Sequence, residues 1–152
     1  MLQACYFLRK EERKEMNKPL STQIIHFPKI LDERGNLSVL EQWNQIPFEI
    51  KRVYWIYDVP GGEMRGGHAY KTLNEVIVAI SGSYDVVLND GSKEYRYQLN
   101  RSYYGLYVPK MMWRHIENFS TNSLALIVAD QLYNEQEYIR DFSAFVQLMQ
   151  QA

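Results

Sequence analysis

The residue types best suited to proton chemistry meet in one stretch, Gly61-Gly62-Glu63-Met64-Arg65-Gly66-Gly67-His68-Ala69-Tyr70-Lys71, followed by Glu75 and Gly82. The glycines make a loop, and the polar residues after them enter a strand in which His68 and Tyr70, two apart, share a face. Two groups able to exchange protons then stand side by side at the mouth of a sheet. Glu75 is far enough along to return on the next strand. The rest of the polar inventory is lopsided: twelve tyrosines, but only three histidines (His26, His68, His115) and one cysteine, Cys5. A lone cysteine excludes an intramolecular disulfide framework, a CxxC zinc site and an iron-sulfur cluster held by this chain alone. It fits a reducing, cytoplasmic setting.

The chain that must position these groups has 152 residues, 46% of them apolar, which suits one compact domain with one core. Seventeen basic against eighteen acidic residues leave a formal net charge of −1. No net positive field is available for a nucleic-acid backbone or an anionic membrane, so neither is expected as a partner. No apolar run approaches the roughly 18 to 20 residues of a spanning helix, and the N-terminus lacks the apolar core of a signal peptide. A soluble, cytoplasmic protein is expected.

Residues 1–22 read as an N-terminal extension built around the charged run Arg9 to Lys18, RKEERKEMNK, and residues 23–152 as the domain. From Ile24 onward, short β-rich runs separated by turn residues predict an all-β sandwich or barrel. Strands are expected over Ile24–Phe27, Gly35–Glu41, Ile50–Tyr57, Val76–Ser81, Ser83–Leu88, Glu94–Leu99, Gly105–Val108, Met112–Asn118 and Ser123–Ala129. Aromatic or aliphatic side chains on both faces of Arg52 to Tyr57 predict a strand covered on both sides. Asn89-Asp90-Gly91 predicts a tight hairpin. Tyr54, Trp55, Tyr57, Tyr103, Tyr104, Tyr107 and Trp113 are expected mainly in the core or an interface. Asn134 with Glu137 has the spacing of an N-cap and capping box. Tyr138, Ile139, Phe142, Phe145, Val146 and Met149 then recur at helical spacing, predicting one terminal helix with an apolar stripe.

Gly66/Gly67-His68-x-Tyr70-x4-Glu75-x6-Gly82 resembles the first cupin motif, and Pro109 to Arg114 followed by Asn118 resembles the second in outline. Tyr70 stands where the second histidine ligand belongs and Arg114 where the third does; His115, one residue on, turns to the other face. A guanidinium in that position would repel a divalent ion, so neither a metal nor another cofactor is expected. A narrower match spans Ile24 to about Phe145. It is carried by Ile30-Leu31-Asp32-Glu33-Arg34-Gly35-Asn36-Leu37, Ile46 to Tyr54, Arg65-Gly66-Gly67-His68-Ala69-Tyr70-Lys71, Leu88-Asn89-Asp90-Gly91, Gly105 to Pro109 and Tyr138-Ile139-Arg140. These segments resemble the dTDP-sugar 3,4-ketoisomerases, the FdtA/QdtA or WxcM-like branch of the cupins.

The resemblance implies an RmlC-like cupin β-barrel or jelly roll with a C-terminal helix. It also implies a dTDP-sugar substrate, a homodimer with exchanged strands, and conversion of dTDP-4-keto-6-deoxyglucose to a 3-keto isomer on the way to surface polysaccharide. The family motif reads RGxHAHK, so Tyr70 replaces the second histidine. On that footing His68 handles the carbon-bound proton, because an imidazole titrates near working pH, and Tyr70 serves the oxygen side as donor and relay. Arg65 stabilises the developing oxyanion. Arg34, Arg52 and Lys71 are the candidates for the diphosphate, and Arg114 faces the sugar. Two other readings stand beside this one: a non-catalytic nucleotide-sugar-binding cupin, and a dTDP-sugar 3,5-epimerase, which also pairs a histidine with a tyrosine.

Overall fold

Runs rich in Val, Ile, Leu and Tyr pair as strands here because each has at least one face to bury and a row of backbone groups to satisfy. The computed structural model describes residues 21–152, so the charged extension expected at the N-terminus lies almost wholly outside the described residues. The strands are β1 (Gln23–His26), β2 (Arg52–Ile56), β3 (Arg65–Tyr70), β4 (Glu75–Ser81), β5 (Tyr84–Asn89), β6 (Glu94–Leu99), β7 (Tyr104–Val108), β8 (Trp113–Glu117), β9 (Leu124–Ala129) and β10 (Tyr138–Ile139), followed by helix α1 (Phe142–Gln151). They form two five-stranded antiparallel sheets, ordered β1-β7-β4-β9-β2 and β10-β3-β8-β5-β6. The expected all-β architecture with a terminal helix is present.

Between the sheets lies the main core, with Ile77, Val86, Leu88, Leu99, Leu106 and Ile127 among its fully buried members. Alternation along β4 sends Glu75, Ile77 and Ala79 inward and Val76 and Val78 outward, where Phe27, Ile46 and Phe48 cover them. On the outside of the second sheet, Phe145, Val146 and Met149 of α1 pack on Ala69 and Trp113. Complete burial of Phe145 contributes about 2 to 3 kcal/mol, enough to hold one short helix in place. Asn89 Oδ1 accepts from Gly91 N at 2.8 Å, and Gly91 takes φ +96°, closing the expected hairpin between β5 and β6.

Three expectations fail for identifiable reasons. Gly35–Glu41 is not a strand: only an isolated Ile30–Leu37 bridge forms, around a turn in which Gly35 N donates to Asp32 O. Leu40 of this segment instead joins Ile46 and Phe48, further along the chain, on the outer face of the first sheet, where Asn44 N and Ile46 N donate to Glu41 O. The terminal helix starts later than Asn134. That residue caps a single 3-10 turn, Glu135–Glu137, and the α-helical cap is Asp141, whose side chain accepts from Ala144 N at 2.7 Å. Between the two caps, Tyr138 and Ile139 pair with Tyr70 and Ala69 on the edge of β3, a tertiary pairing that overrides helical periodicity. Finally, β2 is covered on one side only. As an edge strand it leaves Val53 and Trp55 exposed by 47% and 56%, and Tyr57 beyond it is exposed as well.

Candidate active site

The site forms where β2 and β4 of one sheet face β3, β8 and β10 of the other. Pairing in β3 runs Arg65 to Ile116 and Gly66 to His115, then shifts so that His68 opposes Arg114. Strict alternation would turn Arg65 away from the face His68 uses; the extra residue at Gly67 restores it. Both glycines hold positive φ, +93° and +80°. A Cβ on Gly66 would also sit 3.1 Å from Arg114 Nη1 and 3.2 Å from Arg114 O, so the bulge requires glycine there on two counts.

His68 is 6% exposed, and neither ring nitrogen has a partner among the described residues. Its ring lies 4.8 Å from that of Tyr70 and 4.9 Å from that of Tyr138, and those two are 4.8 Å apart. Burial, followed by the charges of Arg114, Arg140 and Arg52, outweighs Glu135 and lowers the His68 pKa to about 3. The imidazole therefore rests neutral with a free lone pair, the form a base needs. Burial, then Glu75, pushes the Tyr70 phenol far up against the opposing pull of Arg114. Tyr70 keeps its proton and is a donor. The two groups are driven apart into base and acid by their surroundings.

Ionisation of His68 has a consequence for folding. Between its unfolded value of 6.5 and its folded value of about 3, only the unfolded chain carries the proton. Stability contributed by the neutral ring is complete above pH 6.5 and is lost as pH falls through that window, by on the order of a few kcal/mol. Denaturant midpoints should fall across the same range, and a His68→Asn variant should show a shallower decline. Equal slopes would mean that other groups carry the acid sensitivity.

Behind this pair sits a buried ionic group. Arg114 Nε lies 2.6 Å from Glu75 Oε1, a close ion pair with the N–H off the line to the oxygen; the directed bond is from Nη2 to Glu75 Oε2 at 3.0 Å. Arg114 Nη2 also donates to the Tyr54 hydroxyl at 2.9 Å, and Tyr54 donates to Glu75 Oε2 at 2.9 Å. Burial alone would lower the Arg114 pKa, but Glu75, Tyr54 and Tyr70 more than offset it, and the guanidinium stays charged. Among the described residues no three His, Cys, Asp or Glu side chains are grouped as a metal ion would need.

The residues singled out from the sequence are distributed unevenly. His68, Tyr70 and Arg114 meet in the barrel. Arg52 joins them from β2: its guanidinium lies 5.0 Å from the Tyr54 ring centre and 5.7 Å from that of Tyr133, with Nε and Nη2 buried and unpartnered among the described residues. Arg65 is exposed at the start of β3, on a cleft of about 410 Å³ lined also by Trp55, Tyr57, Asp58, Glu63 and Met64. Arg34 is not brought in. Its side chain is 85% exposed and is held by both Asp32 oxygens, at 2.8 and 2.9 Å. Lys71 is exposed one residue past β3, where its backbone N–H donates to Glu137 O. His115 turns outward to Glu117 at 3.2 Å.

Sequence reasoning missed Tyr138, Tyr54, Arg140 and Glu135 as members of the site. Arg140 lies 4.3 Å over the Tyr138 ring and is paired with Glu135 at 2.8 Å. The available signal was the second cap: a helix begun at Asp141 leaves Tyr138 extended and free to pair with β3.

The family model described as FdtA, WxcM-like, C-terminal, matches residues 20–150. Over 126 residues the chain is 40% identical to the TDP-4-oxo-6-deoxy-α-D-glucose-3,4-oxoisomerase of Aneurinibacillus thermoaerophilus, covering 83% of this chain and 91% of that protein. The crystal structure of a 3,4-ketoisomerase from Helicobacter canadensis superposes with a TM-score of 0.84 at 43% identity, over 86% of this chain and 98% of that one. The WlaRB TDP-quinovose 3,4-ketoisomerase of Campylobacter jejuni gives 0.80 at 42% identity, over 83% and 97%. A dTDP-4-dehydrorhamnose 3,5-epimerase of Bacillus anthracis, 16% identical with a TM-score of 0.68 over 77% and 76%, shares the fold alone. With a bulged β3 that sets His68 beside a phenol and a match running through nearly all of the domain, the chain belongs to the FdtA family of WxcM-like C-terminal domains.

Proposed function

We propose that the protein is a nucleotide-sugar 3,4-ketoisomerase that converts dTDP-4-keto-6-deoxyglucose to a dTDP-3-keto-6-deoxyhexose through an enediol. The observation that carries this reading is the neutral His68 imidazole, without a hydrogen-bond partner among the described residues, held against the Tyr70 phenol in a chain of this family. His68 takes the proton from C3 as Tyr70 gives one to the C4 oxygen, forming the enediol. His68 then returns its proton to C4 while the C3 hydroxyl proton passes back to Tyr70. One C–H and one O–H bond break and one of each form, so no outside reactant is needed. Arg65 stabilises the oxyanion that develops.

Arg52, whose buried Nε and Nη2 have no partner among the described residues, binds the diphosphate. Lys71 and Arg34 assist it; the Arg34–Asp32 pair is exposed and screened by solvent, so it does not tie the guanidinium down. Arg114 acts on the sugar side through the Tyr54 hydroxyl it holds. We assign the working form to a homodimer with exchanged strands, for which edge strand β2 offers the exposed Val53 and Trp55. We place the enzyme in the cytoplasm because a single cysteine suits reducing surroundings. Among the described residues no helix is long and apolar enough to cross a membrane.

Incubation with dTDP-4-keto-6-deoxyglucose followed by NMR tests the activity. The expected product has its carbonyl moved from C4 to C3. Unchanged sugar would mean a binding protein, and inversion at C3 and C5 would mean an epimerase; either result overturns the reading.

A further inference from the structure

Tyr70 has one proton and two phenolic neighbours. Its hydroxyl donates to Tyr138 at 3.4 Å and lies 3.5 Å from that of Tyr54. Tyr54 is already committed: it donates to Glu75 and accepts from Arg114. When Tyr70 gives its proton to a sugar oxygen, Tyr54 has no proton to return without breaking the bond to Glu75. The Tyr138 hydroxyl does, since nothing else among the described residues accepts from it. Tyr138 is also held in place for such a task, paired with Tyr70 across β10 and β3 and pinned beneath Arg140.

We propose that Tyr138 is a positioning residue whose hydroxyl serves the Tyr70 oxygen as a hydrogen-bond partner in both protonation states. It accepts from the Tyr70 phenol at rest and donates to the Tyr70 oxygen while the Tyr70 proton is on the sugar. No proton is gained or lost overall, because the C3 hydroxyl returns one to Tyr70. The contact with Tyr138, 3.4 Å while Tyr70 holds its proton, shortens as the phenol gives it up, as hydrogen bonds to a charged oxygen do.

The inference rests on the ketoisomerase reading, so turnover by the parent protein is measured first; an inactive parent would overturn both. Tyr138→Phe keeps the ring against His68 and removes only the hydroxyl. With an active parent, kcat should fall about 10- to 100-fold with KM within about threefold. Oxygen-side transfer should then limit the rate. The solvent deuterium effect on kcat should grow and the effect of deuterium at C3 should shrink. Because Tyr138 acts through Tyr70, the Tyr70→Phe/Tyr138→Phe double variant should be no slower than Tyr70→Phe. An unchanged kcat, a larger C3 deuterium effect, which would mean a displaced His68, or additive losses in the double variant would each overturn the assignment.

Discussion

Replacing His68 with Asn should lower kcat by at least about a thousandfold while leaving near-ultraviolet circular dichroism and oligomeric state unchanged. The size of the effect follows from the surroundings of the ring. Burial and three arginines keep it neutral, so its lone pair is available at every physiological pH. No neighbour among the described residues can take over. The Tyr70 phenol is driven away from ionisation, first by burial and then by Glu75, and the Tyr54 phenol by the same two causes. The Glu75 carboxylate is engaged by Arg114 and Tyr54. Asparagine fills part of the same space and carries no base. A variant that retained a rate within tenfold of the parent would show that the carbon-bound proton goes elsewhere, and the assignment of His68 would fall.

The second large effect is on stability. Glu75→Gln keeps the shape of the side chain and removes the charge that offsets Arg114, a residue 2% exposed at the centre of the barrel. Stranding a buried cation costs about 3 to 5 kcal/mol, a large share of the roughly 5 to 15 kcal/mol that holds a domain folded. Urea unfolding should read that loss directly. Removing both members, as Glu75→Leu with Arg114→Leu, should recover most of it, because an apolar pair avoids the desolvation of two charges. Activity should be lost in the double variant even so, since Tyr54 would then have neither its donor nor its acceptor. A Glu75→Gln cost below about 1 kcal/mol would mean that Arg114 is compensated by water or by the tyrosines alone. The pair would then not be the ionic centre of the site.

How much of this was legible in the chain differs from element to element. The hairpin at Asn89-Asp90-Gly91 was readable because a turn and its two flanking strands are adjacent in sequence. The placing of His68 and Tyr70 on one face was readable for the same reason: alternation is a property of a single strand. The orientation of Arg65 was not, because it depends on a bulge whose extra residue is defined only by the partner strand β8. Tyr138, Ile139, Phe142 and Phe145 satisfy helical spacing and so point to a helix through Tyr138; the edge of β3, nearly seventy positions earlier, outcompetes that local preference. The open face of β2 was hidden likewise, since aromatic and aliphatic residues on both sides of a strand look the same whether or not anything covers them.

The sequence by itself determined the β-rich architecture with a terminal helix, the family resemblance, and the pairing of one histidine with one tyrosine in a glycine-flanked strand. Tertiary structure alone decided what those two groups are. The neutral state of His68 and the retained proton of Tyr70 come from burial and from charges on β2, β4, β8 and the segment around β10. Local sequence sets periodicity and turn chemistry, whereas a pKa responds to distance and desolvation, and both are fixed only once strands remote in the chain have packed together.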